Sequence, residues 1–441
     1  KCGNLDCIIS GSGGLRSKTR SVLGIFFRKL FRSQQSINTL INENGELNDN
    51  KQTNSEIYEF YKKLYESKPM EEEEMSLFLS KLTNKLTTKE RESLDQEITI
   101  DEITKAMQNN KAPGLDGLPK EYYVTFWELL KGPLLLVYKE AFKEGILPNT
   151  MNQGMISLLY KKGPQTDLKN WRPLTLLGVD IKILSKALFF RLKTVISNII
   201  EKEQTCGIPG RKMTDSLALI RDTYTYCQER KLPLSILGID LEKAFDSVNH
   251  RFLEEILRHF NFGSGFIKWI KILYNECSSV VVVNRKATPP FTIKAGVRQG
   301  CPLSPLLFIL AMEPLACAIR HNEAIKGIIP PGNYGKDIKL TMYMDDLTLL
   351  LPDNNSIQES LKISERFTAA SGMKINKNKS EILCSNWKES RENWGLIEKG
   401  DTIKVLGSPL PDFVFGLKQS KMDHSEYGNG TDLMDLIRLL L

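Results

Sequence analysis

Two rhythms of apolar residues run along this chain, one with a period near 3.6 and one that alternates or is unbroken, and together they predict a body of mixed helix and sheet. The helical rhythm is carried by Ile57, Phe60, Tyr61, Leu64 and Tyr65, after an Asn/Gly-rich turn at 42–50. It returns over 101–108, 120–144, 181–200, 215–226, 249–262, 265–274 and 357–371. The stretch 181–200, rich in Leu and Lys, reads as a long amphipathic helix. The stretch 70–88, acidic at Glu71 to Glu74 and weakly patterned, reads as a solvated linker. Short apolar runs predict strands at 154–160, 233–241 and 278–284, the last pairing with 290–294 as a hairpin. From Lys339 to Leu351, two adjacent acids, Asp345 and Asp346, interrupt an apolar run that otherwise reads as two strands. This predicts a hairpin with carboxylates at its tip.

At 441 residues the chain is too long for one ordinary core and predicts two lobes or one lobed body. Its formal charge of +7 favours a polyanionic partner. The eight cysteines are scattered, without a Cys-x-x-Cys pair or a Cys/His cluster at metal-ligand spacing. That argues against a zinc knuckle or disulfide framework and for a reducing, intracellular setting. The apolar stretch Cys301 to Ile319 carries Pro302, Pro305, Glu313 and Pro314, so it reads as a buried helix behind the site rather than a membrane span. The start of the chain is basic and rich in Gly and Ser, without the long apolar centre of a signal peptide.

Adjacent carboxylates repel and resist burial, so Asp345 and Asp346 stay ionised most readily when a hard divalent cation lies between them and a third ligand. An Asp-Asp turn is also ordinary solvated loop chemistry, so a second acid must come from elsewhere. Asp240 supplies one at the end of the 233–241 strand, where the competing reading is a helix N-cap. Between these acids lies Gly296-Val297-Arg298-Gln299-Gly300-Cys301-Pro302. Upstream, Asn109 to Pro119 contains Pro-Gly and Asp-Gly turns that expose backbone amides beside Lys111. That loop is either a nest for a phosphate oxygen or a plain helix connection. The 154–160 strand ends in Lys161 and Lys162, and Trp171-Arg172-Pro173 follows. A planar guanidinium there suits two phosphate oxygens at once.

In this order and spacing, the stretches around Asp240, Gly296 to Pro305, and Tyr343 to Asp346 resemble the palm motifs of reverse transcriptases, closely those of non-LTR (long interspersed element type) retrotransposons. The resemblance covers roughly 36–410 and implies an α+β right-hand polymerase fold with fingers and palm. The thumb is expected to be truncated or vestigial, because 411–441 does not resemble thumb helices. The implied division is a basic segment at 1–35, a helical extension and linker at 36–110, fingers with part of the palm at 111–232, palm at 233–410, and an atypical tail at 411–441.

The resemblance further implies an RNA-directed DNA polymerase that adds dNTPs to a DNA primer on an RNA template with two Mg²⁺ ions, or Mn²⁺ in their place. No membrane partner is implied. Asp240, Asp345, Asp346 and the backbone carbonyl of Leu241 would be the metal ligands, and Lys379, in a stretch similar to motif D, would protonate pyrophosphate. Arg172 and then Lys162 would hold the triphosphate, with Lys161 left to solvent. Phe245 would sit beneath the sugar and clash with a 2′-hydroxyl, and Gln299 and Gly300 would line the nucleotide pocket. Lys111 and Gly114 would touch the template, and Leu406 and Gly407, in a stretch similar to motif E, would grip the primer. Arg211, within Gln204 to Arg211, would contact the template backbone or cap a helix end. Met344 stands where many members of the family carry Ala. Two readings compete with a polymerase of this kind: an inactive remnant that only binds RNA, and an RNA-dependent RNA polymerase using NTPs.

Overall fold

Two five-stranded sheets carry the elements that matter for function, in a computed structural model that describes residues 37, 39–41, 47–48, 53–107, 112–284, 286–330, 336–390, 393–400 and 402–410. The N-terminal segment, Lys111 and the tail from 411 lie outside the described residues. In chain order, β1 (Leu40–Ile41) and β2 (Leu47–Asn48) pair with each other. β3 (Gln153–Tyr160) and β4 (Trp171–Leu176) form an antiparallel hairpin. β5 (Leu234–Ile239) precedes β6 (Ser278–Val283), β7 (Lys286–Ala287) and β8 (Phe291–Thr292). The acidic hairpin is β9 (Leu340–Tyr343) and β10 (Asp346–Leu351). β11 (Glu381–Ser385), β12 (Ile397–Lys399), β13 (Ile403–Val405) and β14 (Ser408–Leu410) complete the set.

One sheet has the order β12-β11-β5-β10-β9, antiparallel except for β11 with β12. In the other, β4-β3-β6-β7, with β8 also on β6, the β3–β6 pair is parallel. The β6–β8 pairing is the hairpin expected from 278–284 and 290–294.

The first sheet is buried on both faces, which is why its strands read as apolar runs rather than alternating ones. Leu237, Ile239, Leu347, Leu349 and Ile382 face the main core. Leu234, Ile236, Leu350 and Leu383 face a second cluster with Ile220 and Cys227, capped by Ile403, Val405 and Leu410 of the β13–β14 hairpin. Behind the sheet, helix Ser304–Arg320 is buried along nearly its whole length, as its apolar run predicted; Pro305 at its start costs no hydrogen bond. Among the described residues, no helix is long and apolar enough to cross a membrane.

Two sequence expectations fail. The supposed linker at 70–88 contains helix Glu72–Ser80, which buries Met75, Phe78 and Leu79, with Phe78 edge-on to Phe367 at 5.3 Å. The acid run that suggested a solvated linker is the first turn of this helix, where negative charge meets the positive end of the helix dipole. The stretch 181–200 is helix Val179–Val195 followed by a 3-10 turn, and it is not a two-faced surface helix. Its Lys182 and Arg191 are buried: Lys182 donates to the Ala112 carbonyl, and Arg191 pairs with Glu102 and binds the carbonyls of Leu94 and Glu97.

Candidate active site

The pairing of β5 with β10 decides where the acids go. Ile239 lies opposite Leu347 and Gly238 opposite Thr348, so extending the register by one residue sets Asp240 opposite Asp346. Side chains alternate along a strand, so both point to the same face. Asp345 occupies the two-residue turn between β9 and β10 with Met344, whose φ is +61°. Asp240 is not a helix N-cap: the short helix Ala244–Ser247 begins after Lys243, and the Asp240 backbone binds Ser380 and Asn376 instead.

The electrostatics match this convergence. Burial, then Asp345 and Asp240, push the Asp346 carboxyl up to about 6, while Lys161 pulls it down. Burial also raises Asp240, with Lys379 and Lys161 lowering it and Asp345 raising it. The three carboxylates thus lie within one another's field, and Lys161 and Lys379 lie within that of Asp240.

Cations come largely from the β3–β4 hairpin. Arg172 on β4 pairs with Leu159, and alternation carried one residue past the end of β3 puts Lys161 on the same face. Burial, then the Arg172 guanidinium, hold the Lys161 ammonium below the usual lysine range, with Asp240 opposing. Lys161, expected to lie in solvent, and Lys162, expected after Arg172 at the triphosphate, are both exposed at the end of the hairpin, and the charge of Lys161 acts on Asp240 and Asp346. Lys243 ties the loop after β5 to this hairpin by donating to the carbonyls of Lys169 and Trp171 at 3.1 and 3.2 Å. Nothing in a lysine's sequence neighbourhood distinguishes these roles.

Phe245 is half-buried and stacks on Phe308 of the buried helix at 4.6 Å with the rings 9° apart. The next residue, Asp246, was missed. It is 1% exposed, and its carboxylate accepts from the Tyr65 hydroxyl at 2.9 Å and from the Gln299 amide at 3.1 and 3.0 Å. Burial pushes this carboxyl up to about 6, with Tyr65, Lys243 and Gln299 acting the other way. The Gln299 side chain is thereby oriented by a buried anion, and its backbone carbonyl accepts from the Thr175 N–H of β4 at 2.7 Å.

The remaining candidates lie in packed loops and tight turns. Gly300 has φ +122°, and a Cβ there would lie 2.3 Å from the Thr175 carbonyl oxygen, so its glycine serves a contact inside the protein. Gly114 is buried, and a Cβ on it would lie 2.4 Å from the Gly178 nitrogen. Packing therefore accounts for it, and its neighbour Lys111 lies outside the described residues. The Arg211 guanidinium donates to the backbone carbonyls of Ile200, Glu201 and Gln204 through Nη1 and Nη2, three of its five N–H donors, and so ties residue 211 to the 200–204 loop. Leu406 and Gly407, at φ +51° and +79°, form the two-residue turn of the β13–β14 hairpin, a primed turn that twists with its strands.

Among the described residues, no three side chains of His, Cys, Asp and Glu are grouped closely enough to hold a metal ion by themselves. The donor set still fits Mg²⁺, which binds through one or two carboxylates and completes its shell with water and substrate phosphate. Backbone geometry adds an acceptor. Residues 240–242 and 374–376 exchange bonds on either side of the Leu241–Ile375 bridge, so the Leu241 carbonyl points away from 375.

A family model described as "Reverse transcriptase (RNA-dependent DNA polymerase)" matches residues 159–410. The chain is 38% identical over 68% of its length to "Transposon TX1 uncharacterized 149 kDa protein" of Xenopus laevis, covering 23% of that relative. It is 26% identical over 64% of its length to "Retrovirus-related Pol polyprotein from type-1 retrotransposable element R2" of Popillia japonica, covering 39% of it. It is 22% identical over 65% of its length to "Probable RNA-directed DNA polymerase from transposon BS" of Drosophila melanogaster, covering 32%. The chain therefore spans well under half the length of each of these relatives.

Proposed function

The chain belongs to the reverse transcriptase (RNA-dependent DNA polymerase) family, in its non-LTR retrotransposon branch, and from that premise we propose that it extends a DNA primer with dNTPs on an RNA template. The observation that carries this is the β5–β10 register, which unites Asp240 with an acidic turn more than a hundred residues away. In this reading the β5-β10-β9 sheet is the palm and the β3–β4 hairpin belongs to the fingers.

Asp240, Asp345 and the Leu241 carbonyl would hold two divalent ions, with Asp346 as a third carboxylate beside them. Bound there, Mg²⁺ would lower the pKa of the primer 3′-hydroxyl and offset charge on the phosphates. The protein's own groups do the rest. Lys161 and Arg172 bind the triphosphate from the fingers side, setting the α-phosphate in line with the primer. Lys379, beside Asp240, can give a proton to the departing pyrophosphate. Phe245, backed by Phe308, presents a ring that cannot yield to a 2′-hydroxyl, which selects deoxynucleotides. Gln299, fixed by Asp246, lines the pocket from the other side. The β13–β14 turn at Leu406 and Gly407 would meet the primer.

The test is template-dependent incorporation of dTTP on poly(rA) primed with oligo(dT) in Mg²⁺. Wild type is expected to extend the primer and Asp345→Ala to abolish extension. Salt-sensitive RNA binding without any extension by well-folded wild type would instead support the binding remnant, and equal use of UTP would support an RNA polymerase.

A further inference from the structure

The acidic turn is not held by its own sequence. Tyr343-Met344-Asp345-Asp346 contains neither Gly nor Asn, yet Met344 sits at φ +61°, a region that side chains other than Gly, Asn and Asp rarely occupy. Something outside the turn must stabilise that backbone.

Gln204 is in position to do so. It is 2% exposed and lies 140 residues before Met344. Its Oε1 accepts the Met344 N–H at 3.1 Å, and its Nε2 donates to the Met344 carbonyl at 3.4 Å, so one side-chain amide spans both polar groups of the left-handed residue. The backbone on either side of Gln204 continues the grip: Met342 N–H donates to Glu203 O at 2.8 Å, and Thr205 N–H donates to Met342 O at 2.9 Å, a parallel bridge on the free edge of β9. Arg211 in turn binds the Gln204 carbonyl at 2.9 Å.

We infer that Gln204 is a positioning residue for the metal-binding turn, holding Met344 in its left-handed conformation and so fixing where the Asp345 carboxylate points. The inference rests on the polymerase reading for its catalytic meaning, but the clamp itself is a property of the fold. Residue type follows from chemistry. Holding both an N–H and a C=O requires a group that accepts and donates, which an amide does and a carboxylate does not. A glutamate would also add a negative charge beside three existing carboxylates. Asparagine is one methylene shorter and would leave one of the two bonds unmade.

The experiment compares the full chain with Gln204→Met, which keeps length and apolar bulk but removes both hydrogen bonds to Met344, together with the bond that Oε1 accepts from the Cys206 N–H at 3.0 Å. Two readouts are taken: amide hydrogen exchange of the 342–347 segment without metal, and the Mg²⁺ concentration for half-maximal dTTP incorporation. Exchange at the turn is expected to speed up by about tenfold. The half-saturating Mg²⁺ is expected to rise by about tenfold, the usual order for losing a group that orients a metal ligand. Adding Met344→Gly to Gln204→Met should restore much of the Mg²⁺ response, since glycine adopts positive φ unaided. Unchanged exchange at 342–347 in Gln204→Met overturns the inference, as does an unchanged Mg²⁺ requirement in an active enzyme. Faster exchange in the variant, beside a wild type that incorporates nothing, leaves the clamp standing and removes the polymerase reading instead. Should Gln204→Met fail to fold, Gln204→Asn, which is uncharged and too short to make both bonds, is put through the same two measurements with the same criteria.

Discussion

The Tyr65 hydroxyl donates to the Asp246 carboxylate at 2.9 Å, joining residues 181 positions apart. Tyr65 follows helix Thr53–Leu64, which lies before the stretch that matches the family, whereas Asp246 lies in the segment after β5 and also holds Gln299. Helix Thr53–Leu64 is therefore tied, through Tyr65 and Asp246, to the loop that carries Gln299. Tyr65→Phe removes one charge-assisted bond and is expected to cost about 2 kcal/mol in chemical denaturation. Asp246→Ala leaves both Tyr65 and Gln299 without their acceptor and should cost more, together with a raised KM for dNTP. Equal stability of the two variants would mean that Gln299 does not depend on Asp246.

Lys161, not Lys162, is the lysine of the hairpin end that sits within the field of the acids. Steady-state incorporation should show Lys161→Ala raising the dNTP KM by about tenfold, the order of one charge-assisted contact, with a smaller effect from Lys162→Ala. The reverse ranking would favour Lys162, which the sequence placed second to Arg172 at the triphosphate.

Phe245→Val opens space where the ring stood. Discrimination between dTTP and UTP, measured as a ratio of kcat/KM values, is expected to fall by roughly tenfold or more. Loss of the stack on Phe308 should lower stability by about 1 kcal/mol. Unaltered discrimination would leave Phe245 as packing alone.

Asp180, at the start of helix Val179–Val195, has its carboxyl pushed up to about 7 by burial and then by Asp116. The unfolded chain releases that proton near the ordinary value of 3.8, so between about pH 4 and 7 the folded state holds a proton that the unfolded state lacks. The stabilisation is complete below this window and is lost as pH rises through it, with a slope approaching 1.4 kcal/mol per pH unit as an order of magnitude. Asp180→Asn removes the titration. Its stability relative to wild type should therefore improve on going from about pH 4 to 7, as read by urea midpoints; a pH-independent difference would contradict the assignment.

Arg191 is 9% exposed and forms a two-pronged pair with Glu102, at 2.6 and 2.8 Å, besides its carbonyl contacts. Lysine cannot reproduce that fork, so Arg191→Lys should cost about 3 kcal/mol in thermal or chemical unfolding. A cost near zero would show that the 94–102 segment is held by apolar packing alone.

Much of the architecture was legible because apolar period reports burial directly. The acidic hairpin, the strand ending at Asp240, the β6–β8 hairpin and the buried helix beginning near Ser304 all follow from it. The helix at Glu72–Ser80 was legible too, in Met75, Phe78 and Leu79 at helical spacing, but the acids of its first turn outweighed that signal. The helix expected over 181–200 is present as Val179–Val195, but the burial of its Lys182 and Arg191 was not legible, because Lys and Arg count as surface residues until their partners are known.

Local order along the chain determined which residues could form strands, turns and helices, and which acids belonged together as motifs, since propensity and alternation act over a few neighbours. Tertiary structure alone decided the rest. The β5–β10 register set Asp240 against Asp346, Asp246 was buried between Tyr65 and Gln299, Lys161 was brought into the field of Asp240 and Asp346, and Arg211 was bound to the carbonyls of the 200–204 loop. The reason is physical: hydrogen-bond partners and electric fields depend on distance in space, and a residue's identity carries no record of which distant group will meet it.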